Sequence, residues 1–198
     1  MPVAPYDMWP RSDEQYVVFA EIIEHMVNNL DMNVYLISHT NGFELPPNFK
    51  LINGRDYPIL KQLREVVIKR RIIKNENQLI LLKEPCLPRM TKKIIGQFEM
   101  MVTGRVHASV AAISQYVPTV FLTYDQRWIS STKMYGFSSL VGVGDLVCEP
   151  ENKQEILEKV DYCYRNLEKI KKVLLENIPI VKDKARKAFD EMKILIED

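Results

Sequence analysis

Apolar runs of strand length alternate with longer amphipathic stretches along the first 150 residues, the pattern that successive strand–helix–strand units leave in a sequence. Pro2 to Tyr6 reads as a short first strand, and Arg11-Ser12-Asp13-Glu14-Gln15 as a capping box with Ser12 at the N-cap and Gln15 three residues on. Val18, Ile22, Met26 and Leu30 then recur at helical spacing, and Asn33 to Ser38 makes the second strand. His39 to Asp56 holds Gly42, Pro46, Pro47 and Gly54, which predicts a long loop at the carboxyl edge of that strand.

Tyr57 to Arg71 predicts a helix, Gln78 to Lys83 a third strand, and Pro88 to Phe98 a helix that a proline opens at no cost in hydrogen bonds. Glu99 to Thr103 is a short buried strand, Arg105 to Tyr116 a helix rich in small residues, and Pro118 to Tyr124 a fifth strand. In that helix Ala108, Ala111 and Ala112 leave room for close backbone approach, while Val110, Ile113 and Val117 supply apolar bulk. A helix over Trp128 to Tyr135, turns at Gly136, Gly142 and Gly144, and a sixth strand near Leu146 to Cys148 complete the alternation.

Beyond Pro150 the chain reads as helix. Ile156, Val160, Cys163, Leu167, Ile170 and Leu174 step by three or four residues, as do Val181, Ala185, Ala188, Met192 and Leu195 after Pro179. The expectation is an α/β fold: a doubly wound, mostly parallel, six-stranded Rossmann-like sheet in the order 3-2-1-4-5-6, with helices on both faces and a C-terminal helical extension. Residues 1–150 would form the ligand-binding domain, with the helices of 151–198 packed on the same domain.

Composition narrows the function. The 27 basic and 26 acidic residues nearly cancel, so the charge gives no footprint for nucleic acid or for a membrane surface. Cys86, Cys148 and Cys163 form no C-x-x-C pair and no framework, which suggests reduced, structural thiols and a cytoplasmic setting. No apolar run approaches the roughly 20 residues of a membrane helix, so no integral membrane segment is expected. No paired cysteine, clustered histidine or H-E-x-x-H suggests a metal.

The predicted topology brings two outgoing loops together where the strand order reverses. One spans Tyr6 to Ser12 and carries Arg11; the other is Thr103-Gly104-Arg105-Val106-His107. Glycine lets the backbone turn sharply beside a ligand, and the helix that follows offers free N–H groups and a positive dipole end. Arg105 adds a fork of donors matched to carboxylate or phosphate oxygens, and His107 adds a proton near neutral pH. A small dianion is the ligand such a set would hold. His39, closing the second strand at the same edge, and Arg127, past the fifth, are further candidates. Pairing of Arg105 with an acidic neighbour is the competing account of the same residues.

The segment from Met101 to Asp125, with Gly104-Arg105-Val106-His107, the small-residue helix, Val117-Pro118 and the aromatic Tyr124, resembles the polysaccharide pyruvyl transferase family. In this likeness Arg127 stands where a lysine is more usual, and Tyr135-Gly136-Phe137 stands at the later turn. The resemblance implies a two-domain, glycosyltransferase-B-like transferase that moves the pyruvyl group of phosphoenolpyruvate onto a sugar of a cell-surface polysaccharide. Phosphoenolpyruvate would be the donor substrate, with no cofactor.

Arg105 and His107 match family residues that bind the donor and assist transfer. Gly104, Val106, Arg11, Ser12, Arg127 and His39 complete the expected binding set. Family members carry a further N-terminal α/β domain, so the chain corresponds to the C-terminal half, and a missing or separately encoded N-terminal domain becomes an expected partner without which the chain would not turn over. Two other readings stand beside this one: the nucleotide-sugar-binding half of a glycosyltransferase-B-type glycosyltransferase or epimerase, and a non-catalytic interaction domain.

Overall fold

The computed structural model describes residues 16–123 and 129–197 of the chain. The predicted first strand at Pro2 to Tyr6, the capping box with Arg11 and Ser12, and Arg127 lie outside them.

Helix α1 (Val17–Asn28) turns Phe19, Ile22, Ile23, Met26 and Val27 inward at three- and four-residue intervals. Strand β1 (Val34–Leu36) follows, and then the predicted long loop departs from expectation, because it folds as an antiparallel hairpin of β2 (Asn41–Phe43) and β3 (Leu51–Asn53). The hairpin was hidden because it stands out from the core: Phe43, Leu45, Phe49 and Ile52 are exposed, so no inward-facing apolar stripe marks it. Helix α2 (Asp56–Arg70) packs beneath on Ile59, Leu60, Leu63, Val66 and Val67. Strand β4 (Leu79–Leu81) and helix α3 (Pro88–Ile95), with its proline in the first turn, match the sequence closely.

Strand β5 (Met101–Thr103), helix α4 (Val106–Ile113) and strand β6 (Thr119–Leu122) form the best-buried unit. Ala108 and Ala112 are fully enclosed and bring α4 close to the strands. Val110, expected to add apolar bulk inside, instead faces solvent, since it lies on the opposite side of the helix from Ala108 and Ala112. Helix α5 (Ile129–Leu140) runs through Gly136, which therefore makes no turn, and strand β7 (Val147–Cys148) closes the alternation.

Helices α6 (Lys153–Arg165) and α7 (Leu167–Glu197) complete the chain. The break between them falls at Asn166, whose side-chain amide donates to the Tyr162 carbonyl, and Pro179 lies inside α7. Proline removes one N–H, from the bond to Leu175, and Leu175 is exposed, so water can serve the freed carbonyl.

The expected six-stranded sheet in the order 3-2-1-4-5-6 is not what forms. Among the described residues, β1 pairs in parallel with β4, β5, β6 and β7 pair in parallel in that order, and β2 with β3 makes a separate hairpin. Strands of two to four residues make these short sheets, and no hydrogen-bonded ladder joins β1 to β5. A crevice of about 320 Å³ lies between those two strands, walled by Ile23, Met26, Val34, Met101 and Val102. The contact there is made by side chains, with the rings of Tyr35 and Phe98 5.2 Å apart. An apolar cluster still runs from α1 and α2 through β6 to α6 and α7, which is what holds the two parallel sheets in one body. No helix among the described residues is long and apolar enough to cross a membrane.

Candidate functional site

Three segments meet at the carboxyl ends of β1 and β5: the residues just after β1, the first turn of α2, and the link from β5 into α4. Asp56 opens α2 and is almost completely enclosed. Its Oδ2 accepts the backbone N–H groups of His39 and Thr40, each at 3.1 Å, while its own N–H donates to Thr40 Oγ1 at 3.1 Å. The other carboxylate oxygen accepts from Nη2 of Arg105, forming a buried ion pair. An enclosed carboxylate needs this much compensation, since an unpaired buried charge is costly.

Gly54 sets the approach. A Cβ at that position would come within 2.4 Å of the Thr40 carbonyl oxygen, and the Gly54 N–H donates to that oxygen at 3.1 Å. The hairpin can therefore fold back onto the end of β1 only with glycine there, and this closure delivers Asp56 to His39 and Thr40.

On the other side, Thr103 ends β5 with its side chain buried, and its Oγ1 accepts the Arg105 N–H at 3.1 Å. Arg105 is the N-cap of α4 in extended conformation and places no side-chain acceptor on the first-turn amides. Those N–H groups keep their donor capacity, together with the positive end of the helix dipole. His107, in the first turn, is exposed.

Two enclosed polar atoms at this edge have no partner, Nε of Arg105 and Nδ1 of His39. Burial pushes the His39 imidazole below its ordinary value; Asp56 opposes that shift, and His107 and Arg105 add to it. His39 is thus held neutral, with one ring nitrogen available to donate or accept according to tautomer. The neighbouring hairpin repeats the theme, because Asn41 and Asn53, opposed across its strands, donate to the carbonyls of Cys86 and Lys83 while their own Oδ1 atoms lack donors.

Of the sequence-predicted residues, Gly104, Arg105, Val106, His107 and His39 come together at one edge. Arg11, Ser12 and Arg127 lie outside the described residues. Arg105 spends one of its guanidinium nitrogens on Asp56, so the competing account, pairing with an acidic neighbour, holds for that nitrogen. Asp56 was missed. Its available signal was an acidic residue in the first turn of a predicted helix, just after Gly54, but a local signal names no partner 49 residues away. No group of three or more His, Cys, Asp or Glu side chains suited to a metal occurs among the described residues.

Set against protein-family models the chain matches none, and no curated protein matches it. The class that fold and site define is therefore a physical one: a small α/β protein with a polar, partly enclosed cluster at the carboxyl edge of its parallel strands.

Proposed function

We propose that the edge cluster binds a small dianion bearing carboxylate or phosphate oxygens, and that the chain is the donor-binding half of a pyruvyl-transferase-like enzyme of the cytoplasm. The observation that carries the reading is the enclosed Arg105 Nε–H with no acceptor, held beside the open first turn of α4 by the Asp56 pair. Unsatisfied buried donors are rare and costly in folded proteins, and a bound acceptor oxygen removes the cost. Asp56 neutralises much of the Arg105 charge, so selection for an anion rests on directed N–H groups rather than on net positive potential.

In this reading Arg105 and the α4 amides hold the phosphate or carboxylate of phosphoenolpyruvate. His107, free to reach solvent and substrate alike, supplies the proton for transfer to a sugar acceptor. Neutral His39 lines the same edge. The resemblance of residues 101–125 to the polysaccharide pyruvyl transferase family supports the choice of phosphoenolpyruvate, and an N-terminal α/β domain of the kind that family carries would complete the acceptor side.

Titration calorimetry with phosphoenolpyruvate, inorganic phosphate and a nucleoside diphosphate tests it. Phosphoenolpyruvate is expected to bind, His107→Ala to weaken it by about tenfold and Arg105→Lys by more, consistent with the loss of charge-assisted bonds. Equal heats for all three proteins, or tighter binding of the nucleoside diphosphate, overturns the assignment.

A further inference from the structure

Helix α7 carries one apolar seam but buries only half of it. Ile170, Leu174 and Ile178 are packed into the body of the protein, and Val181 is the last seam residue with partial cover. The helix continues to Glu197, and every residue from Lys184 to Met192 is exposed. The seam does not stop with the cover. Ala185, Ala188 and Met192 keep the alternating three- and four-residue spacing of a coiled-coil stripe, and Phe189 beside them is 71% exposed. Charge divides along the same stretch. Lys182, Lys184, Arg186 and Lys187 outnumber Asp183 toward the body, and Asp190 and Glu191 follow beyond Phe189, before Lys193.

We infer that this projecting half of α7 is covered by the same half of a second copy of the chain, running antiparallel about a two-fold axis between Arg186 and Lys187. The spacing is self-complementary in that direction. Ala185 meets Ala188 of the second copy on either side of the axis, and Val181 meets Met192, so small residues face each other at the centre and larger ones close the two ends. Two alanines in the seam let the helices approach closely. Phe189 stands one residue after Ala188, on the flank of the seam opposite Lys184 and Glu191, and extends the covered surface.

The charges fix the orientation. Lys184 and Glu191 each stand one residue before a seam position, on the same flank of the helix. In an antiparallel pair such positions face each other, giving two symmetric Lys184–Glu191 contacts between copies. In a parallel pair Lys184 would face Phe189, and neither charge would meet its opposite. Asp183 is already held within its own helix by Arg186 at 2.8 Å and Lys187 at 3.0 Å. Among the described residues Lys184 and Glu191 take no part in that network. The paired stretch from Val181 to Met192 is only about three turns at 3.6 residues per turn, so association is expected to be weak and concentration-dependent.

Sedimentation equilibrium of the full chain is the test. The weight-average mass should climb from the 23.1 kDa of one chain toward twice that value as concentration rises. Lys184→Glu alone, and Glu191→Lys alone, should each weaken dimerisation at least about tenfold by setting like charges against each other. The double exchange should restore it. These positions are exposed, and a circular dichroism spectrum matching that of the parent confirms that each variant is folded. A chain that stays monomeric at every concentration, a dimer indifferent to Lys184→Glu, or single-variant losses that the double exchange leaves uncorrected would each overturn the pairing.

Discussion

Asp56 and Arg105, 49 residues apart, meet in an ion pair in which the carboxylate is enclosed and the Arg105 side chain as a whole a quarter exposed. The pair joins the hairpin end of β1 to the start of α4, across the line where no backbone ladder connects the two parallel sheets. It is therefore a structural tie as well as a mount for the candidate site. Removing one member of a buried pair costs more than the pair contributes, because the survivor is left charged and uncompensated. Arg105→Met is expected to destabilise the fold by about 3 kcal/mol. Adding Asp56→Asn should recover a large part of that loss, since the amide oxygen still accepts a backbone N–H of His39 or Thr40. Urea unfolding of the single and double variants measures both; additive losses would show that the two residues are not coupled.

The neutral state of His39 has a pH signature. Its folded value lies below the ordinary one because of burial first, with the opposing influence of Asp56 outweighed. A base whose folded value is lowered binds fewer protons in the native state than in the unfolded chain. Its contribution to stability is then whole above about pH 6.5, the unfolded value. It is lost as pH falls from there through the folded value. His39→Gln should flatten the decline of stability on the acid side of pH 6.5, and the imidazole resonances of His39 should titrate below 6.5 by NMR. Titration at or above 6.5 would contradict the enclosed placement of the ring.

What the sequence made legible, and what it left hidden, follows from the range of the interactions. Strands β1, β4, β5, β6 and β7 each announce themselves as apolar runs, because β5, β6 and β7 are buried throughout and β1 and β4 in part, and that burial is written locally. The first turn of α4 is legible for the same reason, since Gly104 and the alanines behind it have local geometric causes. The sheet order was not readable, because pairing between β1 and anything beyond β4 is decided by packing between distant segments, here the Tyr35–Phe98 contact and the crevice beside it. Asp56 stayed hidden because a single acidic residue at a helix start usually complements the dipole. Its role comes from the fold-back at Gly54 and from Arg105, neither of which leaves a periodic trace.

Thiol chemistry provides an independent check of the core. Burial pushes the Cys148 thiol up to about 12, with Glu155 adding and Lys159 opposing, and burial alone pushes Cys163 up to about 12. Thiolate is the reactive form, so both should resist an alkylating or disulfide reagent at pH 8. Cys86, partly exposed, should react promptly. Ellman titration is expected to count one fast thiol in the native protein and three in denaturant. Two fast thiols would mean that β7 or α6 is not packed as described.

The closing of the hairpin over β1 rests on one missing methyl group. At Gly54 a Cβ would stand 2.4 Å from the Thr40 carbonyl oxygen and 2.9 Å from the Asn41 nitrogen, both backbone atoms that no rotamer change can move away. Gly54→Ala must therefore lift β3 off the end of β1, lengthening the Gly54–Thr40 hydrogen bond and drawing Asp56 away from the N–H groups of His39 and Thr40. Overpacking of this kind costs about 1–3 kcal/mol. Because the same shift loosens Arg105, Gly54→Ala should also weaken any phosphoenolpyruvate binding without touching a residue proposed to contact it. Gly136→Ala is the matched control, since a Cβ there meets nothing within 4 Å and an alanine favours the helix it lies in. Thermal unfolding should rank Gly54→Ala below the parent and Gly136→Ala at or above it; the reverse order would show that the fold-back at Thr40 does not form.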